Sequence, residues 1–337
     1  MRGELDSPPL VQRNRLDIDP FAGDPGRWAH SLLNLAEIML PCLDASGARS
    51  VLEIGAYAGD LTEVLADWAA ESGARVAAID PAPQDRLVRL AGERQELELV
   101  RATSLTALPA VAPADAVIVD GDHNYYTVSE ELRLIAGWDG ELPLLLFHDV
   151  CWPHGRRDAY YAAERIPAEQ RRPIAEGGGL FPGEHGIRPG GLPYRAVAAH
   201  EGGPRNGVLT AVEDFVAQRD DLRVAIVPAF FGLGVVWRAD APYADDVAGS
   251  LEPWAGNPLL ARLEGNRVFH LASAHHERAQ AALAQERLAR RDEVLRRLLA
   301  SSAFALAERL SRLRHRVGIA REQTVVSKDE IRRALSD

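Results

Sequence analysis

The 337-residue chain has a formal net charge of −11, from 38 basic and 49 acidic side chains, and 47% of its residues are hydrophobic. That length suits one large domain with appendages, or two domains, and the acidic balance argues against a general nucleic-acid binder, which needs clustered positive charge. The two cysteines, Cys42 and Cys151, are too few and too far apart for a disulfide framework, so a reducing cytoplasm is the expected compartment. No apolar run reaches the ~18 residues that span a bilayer, and residues 1–20 lack the apolar stretch of a secretory signal.

Residues 1–26 read as an irregular arm. Over 27–43 the apolar positions Trp28, Leu32, Leu35, Ile38 and Met39 recur at helical spacing, so 1–47 is an arm plus a helix. Residues 48–240 then alternate strand and helix. Strands are predicted at 50–54, 75–79, 97–100, 116–119 and 142–147, and helices at 60–70, 85–94 and 128–137. Residues 150–205 break this rhythm with Gly177-Gly178-Gly179 and Pro189-Gly190-Gly191. So long an irregular stretch inside a domain is expected to be a functional lid or a structureless, disordered segment. A helix at 206–218 and two strands at 222–227 and 234–238 close the domain. The prediction is an α/β fold with a doubly wound, mostly parallel seven-stranded sheet, a large lid insertion and a C-terminal helical extension.

A Pro/Gly/Asp linker is expected over 241–258, followed by a helical tail over 259–337. Leu295, Leu299, Leu306, Leu310, Leu313 and Val317 form a near-heptad stripe. From Glu277 onward 14 basic residues face 9 acidic ones, so the tail is positive on an acidic chain. Such a helix either packs on its own domain or forms a coiled coil and with it a homo-oligomer.

Ligands of doubly wound sheets bind beyond the carboxyl ends of the strands. Gly55, Asp80, Asp120 and His148-Asp149 all fall at such ends. In Glu53-Ile54-Gly55-Ala56-Tyr57-Ala58-Gly59 the glycines allow a tight turn and a close backbone approach. Asp80, 27 residues after Glu53, is placed to accept hydrogen bonds from ribose hydroxyls. The loop lacks the Gly-x-Gly-x-x-Gly of nicotinamide binding and the lysine of a P-loop.

On these motifs the chain resembles the class I S-adenosylmethionine (SAM) dependent methyltransferases, well over 48–150 and in outline over 206–238, where the closing hairpin is typical of them. The resemblance implies SAM as cofactor, held by Glu53, Gly55, Ala56, Tyr57, Gly59, Thr62, Asp80, Ser104 and Asp120. Glu53 would support the methionine amino group, and Ser104 would lie near the adenine.

Methyl transfer needs in-line positioning and a deprotonated nucleophile, so a cation or a base is useful beside a hydroxyl acceptor. Asp120-Gly121-Asp122-His123-Asn124-Tyr125 and Phe147-His148-Asp149 supply candidates at two strand ends. The pairing is similar to that of divalent-metal O-methyltransferases, and most similar to the sugar O-methyltransferases of macrolide and aminocoumarin biosynthesis. By that resemblance Asp120, His148 and Asp149 would bind a metal, Mg²⁺ first and Mn²⁺ or Fe²⁺ as alternatives. Asp122, His123 and His148 are the candidate catalytic groups. His148 departs from the acid usual there and suits a softer metal or a metal-free base. Tyr125, Trp152, Arg156, Arg157 and Arg205 are the candidate acceptor contacts, the arginines through fork hydrogen bonds. The expected acceptor is a small molecule, a sugar or glycosylated natural product. Alternatives are a metal-independent methyltransferase, a surface-glycan enzyme docked through its C-terminal helix, and a non-enzymatic SAM-binding protein.

Overall fold

The computed structural model describes residues 32–319 and 326–335. The arm 1–26 and the start of the first predicted helix, including Trp28, lie outside them. The described part of that helix is a 3-10 turn, Leu32–Leu35, running into α1, Ala36–Ser46. The chain then folds as β1 Ser50–Ile54, α2 Asp60–Ser72, β2 Arg75–Ile79, α3 Asp85–Glu93, β3 Leu97–Val100, α4 Ser104–Ala107, β4 Ala116–Val119, α5 Tyr125–Ile135 and β5 Leu144–His148. After the insertion come α6 Val208–Val216 and the hairpin of β10 Leu222–Val227 and β11 Leu233–Arg238.

The seven strands lie in the order β10-β11-β5-β4-β1-β2-β3. β1 to β5 pair in parallel, and β11 pairs antiparallel with both β5 and β10. Strand order reverses beside β1, which opens a crevice between the loops that leave the carboxyl ends of β1 and β4.

The apolar runs of β4 and β5 are buried on both faces, as a helix-covered parallel sheet requires. Because side chains alternate along a strand, Val51, Ile118, Leu144 and Leu146 join α1 and α2 in one core. Leu52, Val117, Val119, Leu145 and Phe147 join α5 and α6 in the other.

Two expectations are corrected. Segment 241–258 is not a linker: it holds α7, Ala244–Leu251, whose buried Val247 and Leu251 share the core of α1. Segment 150–205 is not structureless. It carries the antiparallel pairs β6 Ile174–Glu176 with β9 Ala196–Ala198, and β7 Gly179–Leu180 with β8 Leu192–Pro193. Its ties to the domain run through side chains. Asp158 Oδ1 accepts from Tyr125 N (2.8 Å) and Gly207 N (2.7 Å), joining the first turns of α5 and α6. The wholly buried Arg157 donates to the carbonyls of Ala198 and His185, each at 2.7 Å.

The chain divides into two compact units, 1–273 and 274–337. Helix α8, Pro258–Ala300, begins in the first, where Val268 and Ala272 bury against Phe231 and Leu192. The second contains the rest of α8, then α9 Ser302–Arg316 and α10 Lys328–Ala334. The predicted leucine stripe is broken where α8 ends and Ser301 caps α9. In α9 the buried residues are Glu308 and Ser311, whereas Leu306, Leu310, Leu313 and Val317 are each more than half exposed. Among the described residues no helix is long and apolar enough to cross a membrane.

Candidate active site

Beyond the carboxyl ends of β1, β2, β4 and β5 lies a cavity of about 630 Å³, within the range of small-molecule sites. Gly55, Tyr57, Asp80, Ser104 and Asp120 line it among the predicted cofactor residues, and Asp122, His123 and Asp149 among the predicted chemical ones.

Gly55 is required by the fold itself. It sits at φ +92°, and a Cβ there would stand 2.2 Å from the carbonyl oxygen of Asp120, where β1 and β4 converge. Asp80 fixes the loop: its carboxylate accepts from Tyr57 N and Ala82 N, both at 2.7 Å. Each oxygen keeps a lone pair for a further donor, so the geometry fits ribose hydroxyls. Glu53 and Thr62 lie behind the loop, with Thr62 Oγ1 donating to Glu53 Oε2 at 2.6 Å. Burial pushes the Glu53 carboxyl up to about 8, against that hydrogen bond. The pair does not reach the cavity and acts through the loop. Ala56 is buried away from the cavity. Gly59 opens α2 in a left-handed conformation with Leu87 packed against it, and it does not line the cavity.

The predicted metal set is rearranged. His148 faces Asp120 Oδ1 through Nδ1 at 2.9 Å and the Phe230 carbonyl through Nε2 at 2.8 Å. Both partners are acceptors, so both ring nitrogens carry protons and neither is free for a cation. Burial lowers the imidazole's proton affinity, but Asp120 and Asp149 override it and bring the pKa to about 10. His148 is therefore neither a metal ligand nor a base at neutral pH. His123 lies beside the two carboxylates instead, with Nδ1 3.1 Å from Asp149 Oδ2. One ligand atom each from Asp120, His123 and Asp149 all fall within 4.8 Å of one another, a group able to hold a cation. Asp149 adopts φ +59° to enter this cluster. Tyr57, Phe230 and Phe231 also have positive φ, and such strained residues gather at functional sites. Burial raises the Asp122 carboxyl above its ordinary range.

The insertion supplies a wall that sequence motifs missed: His154, Tyr161, Arg165 and Tyr194, joined by Phe231 from the β10–β11 connection. His154 stacks on His123 (centroids 5.3 Å, planes 10° apart), and Tyr161 and Tyr194 meet the two rings edge-on. Burial holds His154 down near 4, so it is neutral. The stretch Trp152 to Asp158 stood out in the sequence, but for other side chains. Trp152 packs in the insertion's apolar clusters. Arg156 pairs with Glu213 at 2.6 Å, and Arg157 is the buried strut described above. Tyr125 Oη donates to Asp214 at 2.8 Å. None of these, nor Arg205, lines the cavity.

Residues 52–150 match a family described as a methyltransferase domain. No curated protein sequence matches the chain significantly. Among solved structures the chain is similar to a candidate caffeoyl-CoA O-methyltransferase from Staphylococcus aureus, at 12% identity and TM-score 0.38, over 61% of this chain and 82% of that one. It is similar also to a methyltransferase from Podospora anserina, bound to S-adenosylhomocysteine (SAH), at 13% and 0.36 over 60% and 78%. A third is an O-methyltransferase of tomaymycin synthesis from Streptomyces achromogenes in complex with SAM, at 16% and 0.35 over 60% and 79%. The match to a methyltransferase domain thus lies over the strand ends that build the cavity, within a seven-stranded sheet of the SAM methyltransferase fold.

Proposed function

We propose that the protein is an O-methyltransferase acting on a hydroxyl of a small molecule, with a divalent cation held by Asp120, His123 and Asp149. The observation that carries this reading is the convergence of those three ligand atoms on the wall of the cavity that Gly55 and Asp80 also line. One imidazole nitrogen beside two carboxylates suits Mn²⁺ or Fe²⁺ better than Mg²⁺. SAM supplies the electrophilic methyl group, and a cation in the cluster would lower the pKa of a hydroxyl bound to it.

The remaining work falls to this chain's own side chains. Asp80 and the Gly55 loop hold the cofactor's sugar and amino acid. His148, doubly protonated, fixes the rotamer of Asp120 and offsets one of the two carboxylate charges. Asp122, whose carboxyl sits above the ordinary acid range through burial, is suited to take the acceptor's proton. The rings of Tyr161 and Tyr194 give the cavity an aromatic wall. A sugar or glycosylated natural product is the acceptor implied by the likeness of Asp120-Gly121-Asp122 to the sugar enzymes.

A second reading has an observation of its own. His123 Nδ1 and Asp149 Oδ2, 3.1 Å apart, form a dyad that could deprotonate the acceptor without a cation. One experiment separates the two: transfer of labelled methyl from SAM to a panel of hydroxylated small molecules, after EDTA and after adding back Mg²⁺, Mn²⁺ or Fe²⁺. The cation reading expects activity lost in EDTA and restored by one metal, with Asp149→Ala inactive throughout. Full activity in EDTA would leave the dyad as the survivor.

A further inference from the structure

Among the described residues four carboxylates line the cavity, Asp80, Asp120, Asp122 and Asp149, against one cationic side chain of fixed charge, Arg165. Arg165 ends the 3-10 turn Ala163–Arg165 of the insertion, next to Tyr161 and Ala162, which line the same cavity. The insertion is rich in arginine, and its other arginines mostly close contacts within the fold. Arg156 pairs with Glu213, Arg157 binds backbone carbonyls, Arg171 donates to the Ile166 carbonyl, Arg172 to that of Arg205, and Arg188 pairs with Glu184. Arg195 and Arg205 do not line the cavity. The Arg165 guanidinium makes no hydrogen bond or ion pair with another described residue. Asp122 attracts it only at longer range.

We propose that Arg165 is the anchor for an oxyanion on the methyl acceptor, so that the substrate is a hydroxy compound bearing a carboxylate or phosphate. The inference rests on the methyltransferase reading and narrows its acceptor. A planar fork of donors matches an oxyanion in two parallel bonds. Among the described residues no other side chain lining the cavity carries a fixed positive charge, so an oxyanion on the acceptor finds its side-chain partner at Arg165. The charge layout therefore orients the acceptor, with its oxyanion toward the insertion and its hydroxyl toward Asp120 and Asp149. The neutral rings of Tyr161 and Tyr194 flank the route between.

The test compares matched pairs of acceptors: glucuronate and glucose 6-phosphate against glucose, and 3,4-dihydroxybenzoate against 3,4-dihydroxybenzyl alcohol. Each is assayed with labelled SAM, with Mn²⁺ present, on wild type, Arg165→Gln and Arg165→Lys. SAM affinity is measured by calorimetry in parallel. Wild type should favour the anionic member of at least one pair by roughly tenfold in kcat/KM, as a charge-assisted contact supplies. Arg165→Gln should bring that ratio near one through KM, and Arg165→Lys should keep part of it. The carboxylate and phosphate arms tell which oxyanion is taken. The proposal is overturned if wild type shows no anionic preference in any pair, absence of turnover included, or if Arg165→Gln keeps the preference. Failure of wild type to bind SAM would instead strike the reading beneath it.

Discussion

His148 Nδ1 lies 2.9 Å from Asp120 Oδ1, and the opposite nitrogen of the same ring meets the Phe230 carbonyl at 2.8 Å. A ring between two acceptors must donate twice, so the histidine that reads in sequence as a ligand is a buried cation held against Asp120. Its folded pKa, about 10, stands above the ordinary 6.5 of a histidine in the unfolded chain. The native state therefore holds this proton more tightly than the unfolded chain does. The pair stabilises fully below the unfolded pKa, and that stability is lost as pH climbs from there through about 10. We expect His148→Leu, studied metal-free, to be destabilised by roughly 3 kcal/mol at neutral pH, since it strands the Asp120 charge. Urea denaturation across this range should show the gap to wild type narrowing as pH rises. Parallel stability curves would refute a protonated His148.

Asp80 offers a cleaner measure of the cofactor site, because its carboxylate both ties the loop and faces the cavity. Asp80→Ala should weaken SAM binding by roughly tenfold or more, the loss of a charge-assisted contact of ~1.5–3 kcal/mol. Asp80→Asn keeps one acceptor oxygen and should fall between the two. Calorimetry on folded variants decides. An unchanged affinity would remove Asp80 from the site.

Glu131 is an acid without a task in this scheme. It is 1% exposed on α5, and neither carboxyl oxygen is held at full hydrogen-bond geometry among the described residues, with Ser104 the nearby hydroxyl that favours its charged form. Burial pushes it up to about 8. A raised carboxyl is bound to its proton in the native state and ionised in the unfolded one between pH 4.5 and about 8, so it lowers stability as pH rises through that window. Glu131→Met, of similar volume, should raise stability by roughly 1–3 kcal/mol near pH 8, by removing an unsatisfied buried group. The gain should shrink toward pH 5 or so. A loss of stability at alkaline pH would mean that the carboxylate has a partner after all.

The strands were legible because each is a short apolar run ending in glycine or acid. β1, β2, β3, β4 and β10 coincide with the predicted spans. Their carboxyl ends gave Gly55, Asp80, Asp120 and Asp149 together, since topology alone brings strand ends to one crevice. What escaped depends on contacts distant in sequence. The insertion's order comes from Asp158 with Gly207 and Arg157 with Ala198, 49 and 41 residues apart, and periodicity is blind to such ties. The exchange of His148 for His123 turns on ring orientation, which no strand-end motif encodes. Arg156 and Arg157 were singled out for their charge, but partners at Glu213 and the backbone consume both. Arg165 was missed because nothing local marks it. α7 escaped within a stretch whose Pro and Gly suggest a linker.

The last prediction concerns the tail. The first unit ends at Ser273, after Val268 and Ala272 have completed the cluster around Phe231. The cavity is lined wholly by residues of that unit. The second unit is held by contacts of its own: Lys328 Nζ donates to the Leu299 carbonyl at 2.6 Å, Lys328 N to Glu308 at 3.1 Å, and a capping box joins Ser327 to Glu330. A chain ending at Ser273 should therefore fold and bind SAM within about twofold of the full protein, because no side chain of the cavity is removed. The same truncation tests the expected oligomer. Leu306, Leu310, Leu313 and Val317 leave one face of α9 apolar, and hiding such a face from water favours association. In this helix, however, Arg309, Arg314 and Arg316 flank the stripe, and like charges across a paired seam oppose self-association. Light scattering should accordingly find the full chain and the truncated chain in the same oligomeric state. A larger assembly that is lost on truncation would show that the leucine face overcomes the arginines and joins copies of the chain.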